Sequence, residues 1–355
     1  MKAKLDPSYL GSSFAFIGVV IAASGYQGPG PNANIGVALG GIIACGVLYF
    51  IIGAIVQAVG TGWIERFMPP VVTGSVVAVI GLNLAHIPVK NMAPTGFDAW
   101  MQAITFVSVA LVAVFTKGMV QRLLILMGLI VASIIYAVLT NGLGMGKPLD
   151  LSGIANAAWF GMPAFSSPVF TGNAMLLIAP VAIILVAENL GHIKAVTAMT
   201  GKNLDQYMGR AFMGDGVATI VAGSAGGTGV TTYAENIGVM AATKIYSTAI
   251  FVVAGVMAIL LGFSPKFGAL IQAIPLAVMG GVSIVVFGLI AVAGAKIWVD
   301  NKVDFSDNKN LLVAAITLVL GTGDFTLKFG DFALGGIGTA TFGAILLWAL
   351  LGRKG

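Results

Sequence analysis

The strongest constraint on this chain is that stretch after stretch of it is long and apolar enough to cross the roughly 30 Å of hydrocarbon in a bilayer. Such windows fall near 36–59, 69–88, 100–116, 122–140, 172–193, 244–262, 270–293, 310–322 and 333–351, with shorter or more polar ones near 10–25, 209–225 and 229–243. No water in the membrane core can satisfy exposed backbone groups, so segments of this length have to be helices. The expected fold is therefore an all-α polytopic membrane protein of about twelve spans. Only 9% of the 355 residues are charged, against about 25% in soluble domains. The 49 glycines are small residues of the kind that let membrane helices approach closely.

Charge in the loops orients the spans, because Lys and Arg gather on the cytoplasmic side. With the N-terminus inside, only Lys90, Lys147, Lys266 and Lys328 of the 18 basic residues fall outside. Both ends of the chain are expected in the cytoplasm, and the membrane in question is the inner, cytoplasmic one. The net charge of +5 is scattered over short loops without a stripe or cluster, which excludes a nucleic-acid partner and leaves membrane lipid as the surrounding phase. Cys45 is the single cysteine and His86 and His192 are the two histidines, so neither a disulfide framework, a Cys-based metal site nor a His-Glu-x-x-His zinc site is available. No nucleophile–base constellation or metal cluster points to an enzyme.

An internal repeat organises the spans. Ser13-Phe14-Ala15 followed by Ile17-Gly18-Val19 echoes Thr232-Tyr233-Ala234 followed by Ile237-Gly238-Val239, and Pro69…Gly74 echoes Pro275…Gly280. An odd number of segments separates the copies, so the second is inverted. Inverted repeats with Gly-interrupted segments in matching positions mark the midplane binding site of a secondary transporter. In the second copy two apolar segments precede the broken one, whereas Gly11 follows almost directly on Met1. The first two spans of the first copy are expected to be missing, by truncation at the N-terminus.

The chemistry gathers at these breaks. Gly11-Ser12-Ser13-Phe14 and Gly229-Val230-Thr231-Thr232-Tyr233 predict an extended piece leading into a half-helix, whose unpaired N–H groups and partial positive charge suit carbonyl oxygens or anions; an ordinary Gly-rich kink is the plainer alternative. Glu235 follows the second break directly and is expected to contact substrate, since an acid at mid-membrane costs roughly 2.5–3.5 kcal/mol unless it faces a cavity or a partner. Glu188 and His192 lie four apart in a helical window and share a face, fit either to exchange a proton or to fix helix packing. Asp215, in Gly214-Asp215-Gly216, is open between ligand, proton carrier and structural hydrogen bonding. His86, at a span end, is read as interfacial. Two carboxylates, backbone donors, Phe14 and Tyr233 together suit a small neutral planar lactam such as uracil, and they repel simple anions unless protonated.

These residues resemble a known family. Glu235-Asn236-Ile237-Gly238-Val239-Met240-Ala241-Ala242-Thr243-Lys244 is similar to the signature of the nucleobase–ascorbate transporters, or nucleobase:cation symporter-2 family. Ala187-Glu188-Asn189-Leu190-Gly191-His192 and Tyr9-Leu10-Gly11-Ser12-Ser13-Phe14-Ala15-Phe16 resemble its eighth and third spans. The likeness runs over essentially the whole chain and is closest to bacterial uracil and pyrimidine permeases; a purine, xanthine or urate permease is the alternative within the family, and an anion carrier of similar fold a more distant one.

The resemblance implies seven plus seven inverted spans, with short strands in the two broken ones. It implies a core domain (here 1–68 and 171–262) and a gate domain (69–140 and 263–355), and proton-coupled uptake by an elevator-like movement, commonly in a homodimer. It further implies that Glu188 and Glu235 bind the base edge, that the amides of Phe14 and Ala234 hold its carbonyls, and that Tyr233 lines the pocket. His192 would couple proton to substrate, the proton being the coupling ion with no other cofactor, and Asn236 belongs to the signature. Two departures stand out: the family's first two spans, with a Gln-His motif, have no counterpart here, and Phe287 replaces a gate-span Tyr of the uracil permeases.

Overall fold

The computed structural model describes residues 9–25, 32–233, 236–237, 239–240, 244–329 and 332–352. In chain order these include β1 (Leu10–Ser12), α1 (Phe16–Ser24), α2 (Ile35–Val59), α3 (Gly62–Phe67), α4 (Pro70–Leu84), α5 (Gly96–Phe115), α6 (Met119–Arg122), α7 (Leu124–Ala137), α8 (Ser152–Asn156) and α9 (Gly172–Ile178). There follow α10 (Val181–Thr200), α11 (Met208–Ser224), β2 (Val230–Thr232), α12 (Thr248–Gly262), α13 (Pro265–Gln272), α14 (Leu276–Asp300), α15 (Asn308–Thr322), a hairpin of β3 (Leu327–Phe329) and β4 (Phe332–Leu334), and α16 (Gly336–Leu351).

Every window of bilayer length read from the sequence carries helix. Among the described residues six helical stretches are long and apolar enough to cross a membrane, and a seventh joins them if α12 and α13 count as one span bent by 85°. That bend has a local cause. The Ser264 side chain accepts the Phe267 N–H and Pro265 opens α13, so a new helix is capped where the old one stops. Helices α1 and α10 end on Gly25 and Gly201, with φ of 61° and 66°, the left-handed conformation that glycine adopts without a Cβ penalty.

By internal packing the residues form two units, Met1–Asn83 with Ala164–Phe251 and Ile290–Gly355, and Leu84–Pro163 with Val252–Leu289. The first is built on close backbone approach. Where α2 meets α11, a Cβ on Gly216 would lie 2.7 Å from the Phe50 N and 2.8 Å from the Gly46 carbonyl oxygen, and one on Gly53 would lie 2.6 Å from the Met213 N. Lipid tails are as apolar as leucine, so helices gain little in the membrane from hiding apolar surface; contact between smooth glycine faces supplies the attraction instead. Gly74 of α4 packs in the same way on α14, whose Trp298 Nε1–H donates to the Val71 carbonyl at 3.2 Å.

The second unit centres on Met101, Ala132, Tyr136, Ala277 and Val278, all buried, with Phe97, Leu129 and Ile274 against them. Its longest described helix, α5, opens on a reciprocal cap in which Thr95 accepts the Asp98 N–H and Asp98 accepts the Thr95 N–H. Gln102 on that helix donates to the Pro88 carbonyl at 2.8 Å, satisfying a polar side chain that would otherwise be stranded in the interior.

Gly216→Ala should cost about 1–3 kcal/mol by forcing α2 and α11 apart. Gly255→Ala should be neutral, because a Cβ on Gly255 meets nothing within 4 Å. Thermal unfolding of both variants in detergent checks this, and equal midpoints would refute the close-packed α2–α11 contact.

Candidate functional site

The two Gly-interrupted segments come together. Strand β1 pairs antiparallel with β2 in the register Leu10↔Thr232, Gly11↔Thr231 and Ser12↔Val230. The ladder continues past both ends: the Ser13 N–H donates to the Gly229 carbonyl at 2.9 Å and the Tyr233 N–H to the Tyr9 carbonyl at 3.0 Å. Helix α1 then starts at Phe16, with the Ala15 N–H received by Ser13 Oγ at 3.3 Å. After β2, Asn236, Ile237, Val239 and Met240 are helical. Both breaks thus have the predicted form, extended backbone followed by helix.

The crossing is reciprocal in its side chains as well. Tyr233 lays its ring where a Cβ of Gly11 would stand, and Phe16 lays its ring where a Cβ of Gly229 would stand. Each strand therefore needs glycine opposite the aromatic of the other arm. The Tyr233 hydroxyl donates to the Ser12 carbonyl at 2.8 Å and lies 3.2 Å from Ser12 Oγ, which pins the ring across the strand pair.

Helix α10 brings the acid and the imidazole to this place. Glu188 and His192 are both partly buried and stand one turn apart on α10. His192 lies against the main chain of Thr232, the last residue of β2. Its Nδ1 is buried and has no hydrogen-bond partner among the described residues. Phe14 and Tyr233 are half-buried beside the strand ends, as is Asn236.

A polar network behind the strands was not anticipated from the sequence. Asn189 Nδ2 donates to Tyr49 Oη and to Asp215 Oδ2, each at 2.5 Å. Thr231 Oγ1 donates to Asn189 Oδ1 at 3.4 Å. Tyr49, Asn189 and Asp215 are 0%, 1% and 5% exposed. Of the readings open for Asp215, the geometry shows hydrogen bonding inside the helix packing. Tyr49 had left one signal, a phenol in an otherwise apolar window, whose hydroxyl needs a partner when buried.

Other candidates lie elsewhere. Glu235 and Ala234 are outside the described residues. Phe287 is buried in α14, in the second packing unit, and His86 is exposed at the end of the α4 span. No cluster of His, Cys, Asp and Glu among the described residues could hold a metal.

Comparison with known proteins decides the family, since a model described as the Permease family matches residues 2–329. The chain belongs to this family. RutG of Escherichia coli (strain K12), whose name proposes a pyrimidine permease, is 68% identical over 348 residues, covering 98% of this chain and 79% of RutG. A uracil permease of Paenibacillus larvae is 40% identical, covering 96% of this chain and 81% of its own length. The uracil permease of E. coli (strain K12) is 37% identical, covering 94% and 77%. Among solved structures, the transmembrane domain of the cyanobacterial bicarbonate transporter BicA has a TM-score of 0.61 at 16% identity, over 94% of this chain and 81% of that one. SLC26A9 has a TM-score of 0.58 at 12% identity, over 99% and 59%. At such identities the likeness concerns the fold, which this permease shares with those membrane proteins. It is a multi-pass membrane protein of a transporter family, and neither the family nor these relatives carry an enzyme's name.

The strand crossing of this permease is open to direct test. In the antiparallel ladder Ser12 and Val230 form a non-hydrogen-bonded pair, where Cα atoms approach to about 4.5 Å, within disulfide range. Ser12→Cys with Val230→Cys, on a Cys45→Ala background, should cross-link under mild oxidation, scored by mass spectrometry of the joined peptides. Failure to cross-link in folded protein would refute the pairing.

Proposed function

We propose that the protein carries a pyrimidine nucleobase, uracil foremost, inward across the cytoplasmic membrane together with a proton. The observation that carries this reading is the antiparallel crossing of the two Gly-interrupted strands, with α10, which holds Glu188 and His192, packed against β2. A planar lactam offers N–H donors and C=O acceptors along its edge, and this site offers the complement. Glu188 and Glu235 accept from the ring N–H groups, the amides of Phe14 and Ala234 donate to its carbonyls, and Tyr233 lies against the ring. Asn236 supports the helix that begins there. The names of the relatives, uracil and pyrimidine permeases, support a pyrimidine over a purine.

His192 holds the coupling proton. An imidazole one helical turn from a carboxylate can share a proton with it, and protonation of the pair alters how strongly Glu188 accepts from the base. The transport cycle moves a core (1–68 and 171–262) past a gate (69–140 and 263–355) in the elevator manner, within a repeat of seven plus seven spans. These are moving bodies rather than packing units. Phe287 belongs to the gate. Both ends of the chain face the cytoplasm, membrane lipid surrounds the spans, and a second copy of the chain completes a homodimer.

Glu235→Gln should weaken uracil binding about 10- to 100-fold, the worth of a hydrogen bond to a charged group, while the detergent-extracted protein stays folded. Unchanged affinity, measured with radiolabelled uracil and with xanthine as competitor, would remove Glu235 from the site; displacement by xanthine and not by uracil would turn the reading to purines. His192→Ala should leave facilitated uracil exchange in liposomes but abolish its response to an imposed pH difference. A variant still driven by that gradient would place the coupling proton elsewhere.

A further inference from the structure

We propose that Asn189, held by Tyr49 and Asp215, is a positioning residue that fixes strand β2 against α10 and so sets the alignment of Glu188 and His192 with the ligand-facing backbone. Strand β2 is anchored to both neighbouring helices. The Val230 N–H is received by Thr219 Oγ1 on α11 at 3.2 Å, Thr231 Oγ1 donates to Asn189 Oδ1 on α10 at 3.4 Å, and the Thr232 main chain lies against His192 on α10.

The orientation of the Asn189 amide decides whether the middle anchor exists. Turned one way, its NH₂ faces Tyr49 Oη and the Asp215 carboxylate and its oxygen faces Thr231; turned the other way, oxygen would face carboxylate. Asp215, as an acceptor, forces the first arrangement. Tyr49 reinforces it by accepting from the same Asn189 Nδ2. The triad thus works on the strand from behind, touching no substrate itself. In an interior this dry, each bond of a fully satisfied network is stronger than in water and holds its members to one geometry. Because Asn189 adjoins Glu188 in sequence, the rotation of α10 that seats the amide also fixes the direction in which the carboxylate emerges.

The identity of the ligand rests on the transport reading, so the test has an arm that does not use it. In the substrate-free full chain in detergent, hydrogen exchange by mass spectrometry should show the amides of 230–233 exchanging about 3- to 10-fold faster in Tyr49→Phe and in Thr231→Val, with Met101–Tyr136 in the other packing unit unchanged. Thr231→Ser, which keeps the hydroxyl, should restore wild-type exchange. The factor corresponds to the net worth of one hydrogen bond in a local opening. Uracil affinity should fall by a similar factor in Thr231→Val and recover in Thr231→Ser. Unchanged exchange at 230–233, or faster exchange spread evenly over both units, would overturn the proposal, the second because the residues would then serve only general stability. If Tyr49→Phe does not fold, the Thr231→Val and Thr231→Ser pair decides alone. Wild-type protein that binds no uracil would sink the substrate reading and leave the exchange result to judge the positioning role.

Discussion

A helix interrupted in the middle of a bilayer leaves N–H and C=O groups that no solvent can satisfy, at several kcal/mol for each stranded group. The pairing of β1 with β2 removes that cost for two interruptions at once, each supplying what the other lacks. Everything distinctive about the site follows from it. The strands must approach within one ladder spacing, so Gly11 and Gly229 lie beneath the rings of Tyr233 and Phe16. Helix α1 then starts where the ladder ends, its first N–H groups received by Ser13 and Phe14.

Such a crossing is only as well defined as its scaffold. Backbone contact between α2 and α11 through Gly46, Gly53, Gly209 and Gly216 holds two of the helices that flank the strands at a separation that larger residues would not allow. Tyr49 on α2 and Asp215 on α11 then meet Asn189 of α10 in the same packing unit. Close glycine packing and the buried polar network are thus linked: a wider α2–α11 spacing would keep the phenol and the carboxylate from sharing the Asn189 amide and leave one of them unsatisfied in a dry interior. That link makes the small residues of α2 part of the site's geometry although none of them faces a ligand.

Much of this was legible because membrane constraints act locally on sequence. Apolar runs of bilayer length announce helices, and glycine beside hydroxyl and β-branched residues announced both breaks. The i,i+4 spacing of Glu188 and His192 placed them on one face before any coordinates. What escaped was relational. The register Gly11↔Thr231 depends on which residues from distant parts of the chain coincide in space, and periodicity within either segment is silent about that. The bend at Ser264–Pro265 was read only as a gap between windows, since capping chemistry and a loop look alike until the helix directions are known. Tyr49 and Asn189 were passed over because their roles exist only when three helices meet. Glu235, the residue that sequence reasoning singled out first, lies outside the described residues.

The shared fold with a bicarbonate transporter domain sharpens how little architecture says about cargo. Two crossing strands and a half-helix present backbone donors, and those donors welcome a carboxylate, a bicarbonate or a neutral carbonyl alike. Selection among them falls to the side chains that close the site. On the proposed reading, a carboxylate at Glu188 facing the same space as the donors would repel an anion unless one of the two takes up a proton, whereas it would gain a charge-assisted bond from a ligand N–H. A ligand that satisfies both the donors and the acid must carry acceptor and donor on one rigid edge, and a lactam does so without bringing charge into the membrane. On the same reading His192, one turn along and against the main chain of Thr232, would let the charge of the pair change as the load is taken up or released. In this way a fold indifferent to its passenger would become selective for a flat, neutral, hydrogen-bonding one.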